Sequence, residues 1–477
     1  MTFFTPDNIR SAVGGVFRTR PGVSSISGGV SIDTRTLKPG QVFAAFKGEN
    51  VDGHAYLHEA RAAGSTVALV ERDGEIPGAP PEDMTLIEVE STRYALGQLA
   101  RAYRKTFTST RVIAVTGSNG KTTTVRLIDQ VLGSSMRGSA SVKSFNNDIG
   151  LPLTLLAAQP NEKYVVCELG MSSPGEVAHL SQIASPDIAV ITSIGRAHIG
   201  FFQDQSGIAQ EKASILRGLS EGGLGVITAD APLLDDFLPP DVSLLRFGSG
   251  EHADIRVVAV EIHGAGVRFE TNGGQRYEIG LLGAHNAHNA AAAIAVARRM
   301  GMQEADIAMA LASAKGPEMR LDRQTIGGIT IINDAYNANP ESVIAAIGTL
   351  GAADGSAGRR VLVLGEMLEL GGDAPAMHEE VGRAIADSVE RGEGPDFVVL
   401  VGELAHSAAA NVRDKLGNEC VVMESETCDG RSIAERLAPG DTVLLKGSRS
   451  VGLERVVHAI RKMTHESTPK GAVTVKD

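Results

Sequence analysis

The sequence predicts an α/β protein of three domains, and three observations carry that expectation. The chain has 477 residues, too many for one core at roughly 150 residues per domain. Short apolar runs that end in polar residues alternate with helix-length stretches along most of the chain. The composition agrees: 43% apolar residues can fill real cores, while 55 glycines, 4% aromatic residues and no tryptophan suit glycine-rich turns between strands and helices.

The first domain is expected over residues 1–85. Its QVFAAFKG (41–48) reads as a strand, GHAYLHEARAAG (53–64) has helical spacing, and STVALVE (65–71) reads as a second strand. GEIPGAPPEDMT (74–85), rich in proline and glycine, reads as a surface loop near its edge. The helical segment STRYALGQLARAYRKTF then leads into a central domain, expected over 86–320. That domain opens with the strand RVIAVTG (111–117) and continues with YVVCELG (164–170) and DIAVITSIG (187–195), which implies a mainly parallel sheet. A third domain, 321–477, repeats the pattern in GITIIND, RRVLVLGE, DFVVLVGE and DTVLLKGS, each followed by a helical stretch, and reads as an open Rossmann-like sheet. Asn339 is placed to cap a helix whose first residue is Pro340. The tail, 467–477, is expected to be loose.

A formal net charge of −12 argues against general affinity for nucleic acid or an anionic membrane, so anionic substrates require local basic groups. Cys167, Cys420 and Cys428 form neither a disulfide framework nor a CxxC zinc pair, which fits a reducing cytoplasm. The N-terminal stretch lacks the features of a signal peptide, and no apolar run approaches the roughly 18 residues of a membrane helix. A cytosolic protein without membrane insertion is the expectation.

The strongest local signal is TGSNGKTTT (116–124), between a strand and the amphipathic stretch TTVRLIDQVL. Such a turn cradles phosphate: backbone N–H groups of Gly117, Ser118, Asn119 and Gly120 face the oxygens, the helix N-terminus adds partial positive charge, and Lys121 reaches the β- and γ-phosphates. Thr122 is the hydroxyl suited to magnesium, with Thr123 beside it. The spacing G-x-x-G-K-T is two residues shorter than the general P-loop, and the plain alternative is a glycine turn that caps a helix.

A nucleotide bound with magnesium needs oxygen ligands near strand ends, and Glu168 follows YVVC at such a position. His198 follows the strand DIAVI, although a solitary histidine is usually structural. Lys212, on the helix AQEKASIL, would ordinarily be a solvated lysine paired with its neighbour Glu211. Asn286 and Asn289 stand at the start of a helix of small residues, where amides either cap the helix or read a nucleobase edge.

Together these motifs resemble the Mur ligase family, which includes folylpolyglutamate and cyanophycin synthetases. The shared marks, in order, are the short P-loop, Glu168, A-H-I with His198, E-K-A-S with Lys212, G-x-H-N-x-x-N (283–289) and N-D-A-Y-N-A-N-P (333–340). Within the family, the segments 31–54, 144–156, 332–343, 363–371 and 444–454 are similar to the branch that adds D-alanyl-D-alanine to UDP-N-acetylmuramoyl-tripeptide. The D-N-P-R motif of the branch that adds the preceding amino acid is absent.

The resemblance implies an ATP-dependent amide ligase working through an acyl phosphate. It implies that Gly117–Gly120 and Lys121 bind ATP phosphates, that Thr122 and Glu168 hold one of two Mg²⁺ ions, and that His198 and a carbamate on Lys212 hold the other. Asn286 and Asn289 would lie near adenine, and Arg320 and Asp334 would meet the nucleotide from the interdomain side. Ser31, Asp33, Thr34, Arg35 and the segment FKGENVDGH would take the uridine diphosphate, while Asn146, Asn147 and Thr154 would approach the sugar-peptide. Tyr336, Asn337 and Asn339 would contact nucleotide or peptide, and Lys446, Ser448 and Arg449 the dipeptide. The chain departs from the family pattern after His198, where GFF stands. A monomer is the family expectation. Competing readings are another ligase of the family, a P-loop ATPase that drives movement without making a bond, and a non-catalytic nucleotide sensor.

Overall fold

The computed structural model describes residues 3–20, 26–142, 144–264, 266–352 and 358–466; the tail expected to be loose lies outside the described residues. Three sheets form, each where apolar runs are buried on both faces. Tyr164–Glu168, Ile188–Ile191 and Phe397–Val401 have every residue buried, the signature of parallel strands covered by helices on both sides.

The N-terminal sheet has the order Val16–Thr19, Thr85–Val89, Val67–Glu71, Val42–Ala44, Val30–Ser31. Its first pair is antiparallel and the rest parallel, and the sheet continues past residue 85 through the strand Thr85–Val89. The first expected strand is reduced to Val42–Ala44, because Lys47 bridges Asp52 and turns the chain back. His54, inside this turn, is fully buried, and its Nε2 accepts the Glu71 N–H (2.9 Å) while its Nδ1 lies 2.6 Å from Asp52 Oδ1. These bonds fix the tautomer with the proton on Nδ1 and join the turn to the strand Val67–Glu71. His54→Phe is therefore expected to cost about 2 kcal/mol of stability by stranding a buried N–H and a carboxylate, measured by urea denaturation.

The nine-stranded central sheet runs Arg276–Ile279, Gly266–Thr271, Ile255–His263, Ser243–Gly248, Leu224–Thr228, Ile188–Ile191, Arg111–Thr116, Tyr164–Glu168, Gly138–Ala140. It is parallel from Ile255–His263 to Gly138–Ala140, and the last hairpins add antiparallel strands. Over one face lie the helices Lys121–Gly133 and Asn286–Arg299, the second a run of buried alanines that permits close approach.

In the C-terminal sheet the order is Asp322–Ile326, Ile329–Asp334, Thr442–Lys446, Arg360–Gly365, Phe397–Val401, Val421–Glu424, all parallel except the first pair. Asn339 caps the helix Pro340–Gly351 as expected, and a reciprocal bond with Ser342 completes a capping box. Among the described residues no helix is long and apolar enough to cross a membrane.

Candidate active site

The carboxyl ends of the central and C-terminal strands meet across one cleft with a cavity volume of about 320 Å³. From the central sheet it is lined by Ser118, Asn119, Gly120, Lys121 and Thr123, by Thr192 and Ser193, and by Asn286 and Asn289. Arg320, Asp334, Asn337, Asn339 and Lys446 line it from the other side. Ligands of open α/β sheets gather at such strand ends.

Two glycines shape the phosphate loop. Gly117 has φ +151°, and a Cβ there would collide with Thr192 Oγ1; Gly120 has φ +83° and would drive a Cβ into Asn289 Oδ1. The loop is also tied down by side chains: the Asn119 N–H donates to Ser193 Oγ (2.8 Å), and the Thr192 hydroxyl donates to the Asn119 carbonyl (2.5 Å). Gly117→Ala is expected to weaken ADP binding roughly tenfold or more through loop distortion, read by isothermal titration calorimetry.

Lys121 donates to the Gly117 carbonyl (2.6 Å), and burial pulls its pKa down to about 8 against the raising effect of Glu168. Glu168, 1% exposed, accepts from Asn146 Nδ2 (3.0 Å) through one oxygen. Its other oxygen, Oε2, is buried and has no partner among the described residues, and the same holds for Thr122 Oγ1. Orphaned hard oxygens of this kind are the donors that magnesium uses, and magnesium characteristically takes one or two carboxylates with water and phosphate completing its shell. The described residues contain no group of three or more His, Cys, Asp or Glu that could hold a metal alone.

Lys212 corrects the expectation of a solvated lysine paired with Glu211. It is 1% exposed and among the described residues donates to Met171 Sδ (3.4 Å), while Glu211 accepts the N–H groups of Gly175 (2.8 Å) and Val177 (2.7 Å). Burial, with Lys121 nearby, holds its pKa far below the ordinary value for lysine. His198 sits at φ +65° with Nδ1 2.6 Å from Glu369 Oε2 of the C-terminal domain, a contact that lowers the Glu369 pKa.

Several other residues are held differently from expectation. Asn286 donates to the Leu282 carbonyl (2.6 Å) and accepts from Asn289 (2.8 Å), which in turn accepts from the Thr124 hydroxyl (3.3 Å), so this pair braces the phosphate-loop helix as well as lining the cleft. Lys446 is 2% exposed and pairs with Asp334 (2.8 Å) and the Asn337 carbonyl (2.6 Å), within the same cleft as Lys121. Arg320 stacks over Tyr336 at 4.5 Å, and the Tyr336 hydroxyl donates to Ser144 (2.6 Å) across the domain junction. Asn339 exchanges amide bonds with Asn119 (2.7 and 3.4 Å).

Asn147 caps the helix Gly150–Ala157 by accepting from Gly150 N–H (2.9 Å). The Thr154 hydroxyl is buried against the Gly150 carbonyl (2.9 Å) and lies 3.5 Å from Ser141 Oγ, which accepts the Glu168 N–H. Thr154 therefore braces the loop around Asn146 from inside, while Asn147 is exposed. Ser448 accepts from the Leu368 N–H (3.0 Å), and Arg449, more than half exposed, contacts Met319 Sδ and Glu454. In the N-terminal domain Ser31 is 8% exposed, with its hydroxyl donating to the Asp33 carbonyl (3.0 Å). Asp33 and Thr34 turn beside it, and the Arg35 guanidinium, 87% exposed, holds the Asp33 carboxyl down at about 2.

Comparison with known proteins adds a second, independent line. Family models match the chain in three consecutive blocks: the Mur ligase family catalytic domain over 27–104, the Mur ligase middle domain over 115–297, and the Mur ligase glutamate ligase domain over 319–449. The UDP-N-acetylmuramoyl-tripeptide–D-alanyl-D-alanine ligase of Bacillus subtilis is 39% identical over 95% of this chain and 97% of its own. This chain belongs to the Mur ligase family. The Escherichia coli ligase of the same name is 33% identical over 91% of this chain and 93% of its own. Among solved structures, MurF from Acinetobacter baumannii superposes with a TM-score of 0.81 at 28% identity, covering 96% of this chain and 98% of that one. The MurF ligase from Thermotoga maritima, solved in complex with ADP, matches with a TM-score of 0.78 at 28% identity over 93% and 99% of the two chains.

Sequence reasoning passed over Thr192 and Ser193, although they follow the strand Ile188–Ile191 in the way that Glu168 follows its own strand. It also passed over Arg196, Glu341, Glu369 and Glu380, whose pairings span 145 to 184 residues for Arg196 and leave no local signature.

Proposed function

We propose that this chain adds D-alanyl-D-alanine to UDP-N-acetylmuramoyl-tripeptide at the expense of ATP, forming an amide bond through an acyl phosphate. The observation that carries the reading is the meeting of the phosphate loop and its Lys121 with Arg320 and Lys446 around one interdomain cleft; Thr122, next to Lys121 in the chain, and Glu168 each keep a buried oxygen without a partner among the described residues. The ligases named above, matched over nearly their full lengths, support the same reaction for this chain.

A carboxylate is a poor acyl donor. A terminal carboxylate oxygen of the tripeptide attacks the γ-phosphorus of ATP, displaces ADP and yields the acyl phosphate. The free amine of the dipeptide then adds to the acyl carbon, and collapse of the tetrahedral intermediate expels phosphate. Lys121 and the N-terminus of the helix Lys121–Gly133 offset the charge that develops on the phosphoryl oxygens, the N–H groups of Ser118 and Asn119 being taken by Ser193. Bound Mg²⁺ would neutralise phosphate charge and polarise the γ-phosphoryl group, one ion held by Thr122 and Glu168 and a second by His198 and Lys212.

Lys212 suits that role only after modification, because an ammonium repels a cation. Its burial, with Lys121 nearby and against the opposing effect of Glu211, favours the neutral amine, which reacts with CO₂ to give a carbamate with two hard oxygens. His198 would use Nε2, its Nδ1 being engaged by Glu369.

By domain, residues 1–85 would hold the UDP-sugar through Ser31, Asp33, Thr34 and Arg35, 86–320 the ATP, and 321–477 the incoming dipeptide. Asn146 would face the sugar-peptide, with Tyr336, Asn337 and Arg449 at the C-terminal side of the cleft. Incubation with ATP, Mg²⁺, the UDP-tripeptide and D-alanyl-D-alanine is expected to yield the UDP-pentapeptide by mass spectrometry. Phosphate release without either peptide substrate would instead favour a bond-independent ATPase.

A further inference from the structure

The glycine loop is joined to the C-terminal domain by a contact that the reaction as described does not use. Ser118 accepts the Gly195 N–H (2.8 Å) and donates to the Gly195 carbonyl (3.0 Å), so the segment beginning at Gly195 is fixed to the phosphate loop. The next residue, Arg196, spends its whole fork on the other domain. Its Nε donates to Glu341 (2.7 Å), in the first turn of Pro340–Gly351, and its two terminal nitrogens donate to the two oxygens of Glu380 (2.7 and 2.8 Å), on the helix Ala374–Glu390. Bidentate arginine–carboxylate bonds of this kind set orientation as well as distance.

Beside it, the turn holding Glu341 begins with Asn339, which meets Asn119 of the same phosphate loop, and both residues line the nucleotide cleft. The three charged side chains are 25% to 37% exposed, so the cluster can open to water without stranding buried charges, as a reversible contact must.

We propose that Arg196 is a positioning residue that latches the C-terminal domain onto the phosphate loop, so that the cleft closes over the acyl phosphate before the amine arrives. This inference rests on the ligase reading. Arg196 does not line the cleft; it acts by holding Glu341 and Glu380, and through them the two helices that bring their domain to it. Loss of the latch leaves nucleotide affinity intact and impairs the step that needs both domains.

The test compares wild type with Arg196→Ala, Arg196→Lys and Glu380→Gln in steady-state kinetics, ADP titration and small-angle scattering. In Arg196→Ala, kcat is expected to fall about tenfold and KM for the dipeptide to rise, a size typical of coupling between domains. ADP affinity and KM for the UDP-tripeptide stay within about twofold, and compaction on adding ATP analogue with UDP-tripeptide is lost. Arg196→Lys, which keeps the charge but not the fork, recovers part of kcat. Wild-type kinetics and wild-type compaction in a folded Arg196→Ala overturn the latch. Should that variant fail to fold, Arg196→Lys and Glu380→Gln decide, with reduced kcat in either supporting the latch and wild-type kinetics in both overturning it. Wild type that makes no UDP-pentapeptide contradicts the ligase reading itself, a result distinct from any difference among variants.

Discussion

Lys212→Ala is expected to lower kcat by two to three orders of magnitude, on the order of the loss when one preorganised charge-stabilising group is removed. Among the described residues the amine forms no salt bridge, so the variant is expected to stay folded; Glu211 still accepts from Gly175 and Val177 and keeps its helix in place. A structural lysine would give the opposite pattern, lowered stability with turnover preserved. The chemistry adds a second reading of the same residue. Wild-type protein stripped of CO₂ is expected to lose activity and regain it with bicarbonate, and ¹³C-labelled CO₂ to give one carbamate resonance that is absent from Lys212→Ala.

Lys121→Ala is expected to reduce kcat about a thousandfold, since this is the cation that the phosphate loop carries to the γ-phosphoryl group. ADP affinity should fall less, about tenfold, because the N-terminus of the helix Lys121–Gly133 remains. Without nucleotide, Lys121 satisfies the carbonyl of Gly117 at 2.6 Å, so its loss also loosens the loop. Paired measurements of ADP binding by calorimetry and single-turnover phosphoryl transfer separate the two effects. Equal losses in binding and in transfer would reduce Lys121 to a part of the loop.

Much of the architecture was legible because each signal was local. RVIAVTG, YVVCELG and DIAVITSIG end in polar residues where parallel strands present their carboxyl ends, and their order alone placed Gly117, Glu168 and His198 on one edge of a sheet. Asn339 and Pro340 announced a helix start from two adjacent residues. The antiparallel strands between Ile255 and Ile279 escaped notice because their exposed faces break the continuous apolar runs that marked the others.

Within the site, chemistry read from residue type reached Lys121, Thr122 and Glu168 but misjudged environment. Residue type alone leaves Lys212 an ordinary surface lysine, whereas the fold buries it, and it says nothing of the pairing of Lys446 with Asp334 in the interdomain cleft. Thr154 carries a hydroxyl that its own helix consumes, a competition invisible in composition. Arg196 depends on partners on the far side of a domain junction, and no spacing rule connects them.

The most direct test of the account follows oxygen rather than residues. UDP-tripeptide labelled with ¹⁸O in its terminal carboxylate is turned over with ATP and D-alanyl-D-alanine, and the released phosphate is analysed by mass. The account predicts one labelled oxygen in each phosphate, carried there from the carboxylate by the acyl phosphate. Phosphate free of that label, its new oxygen drawn from water, would contradict it.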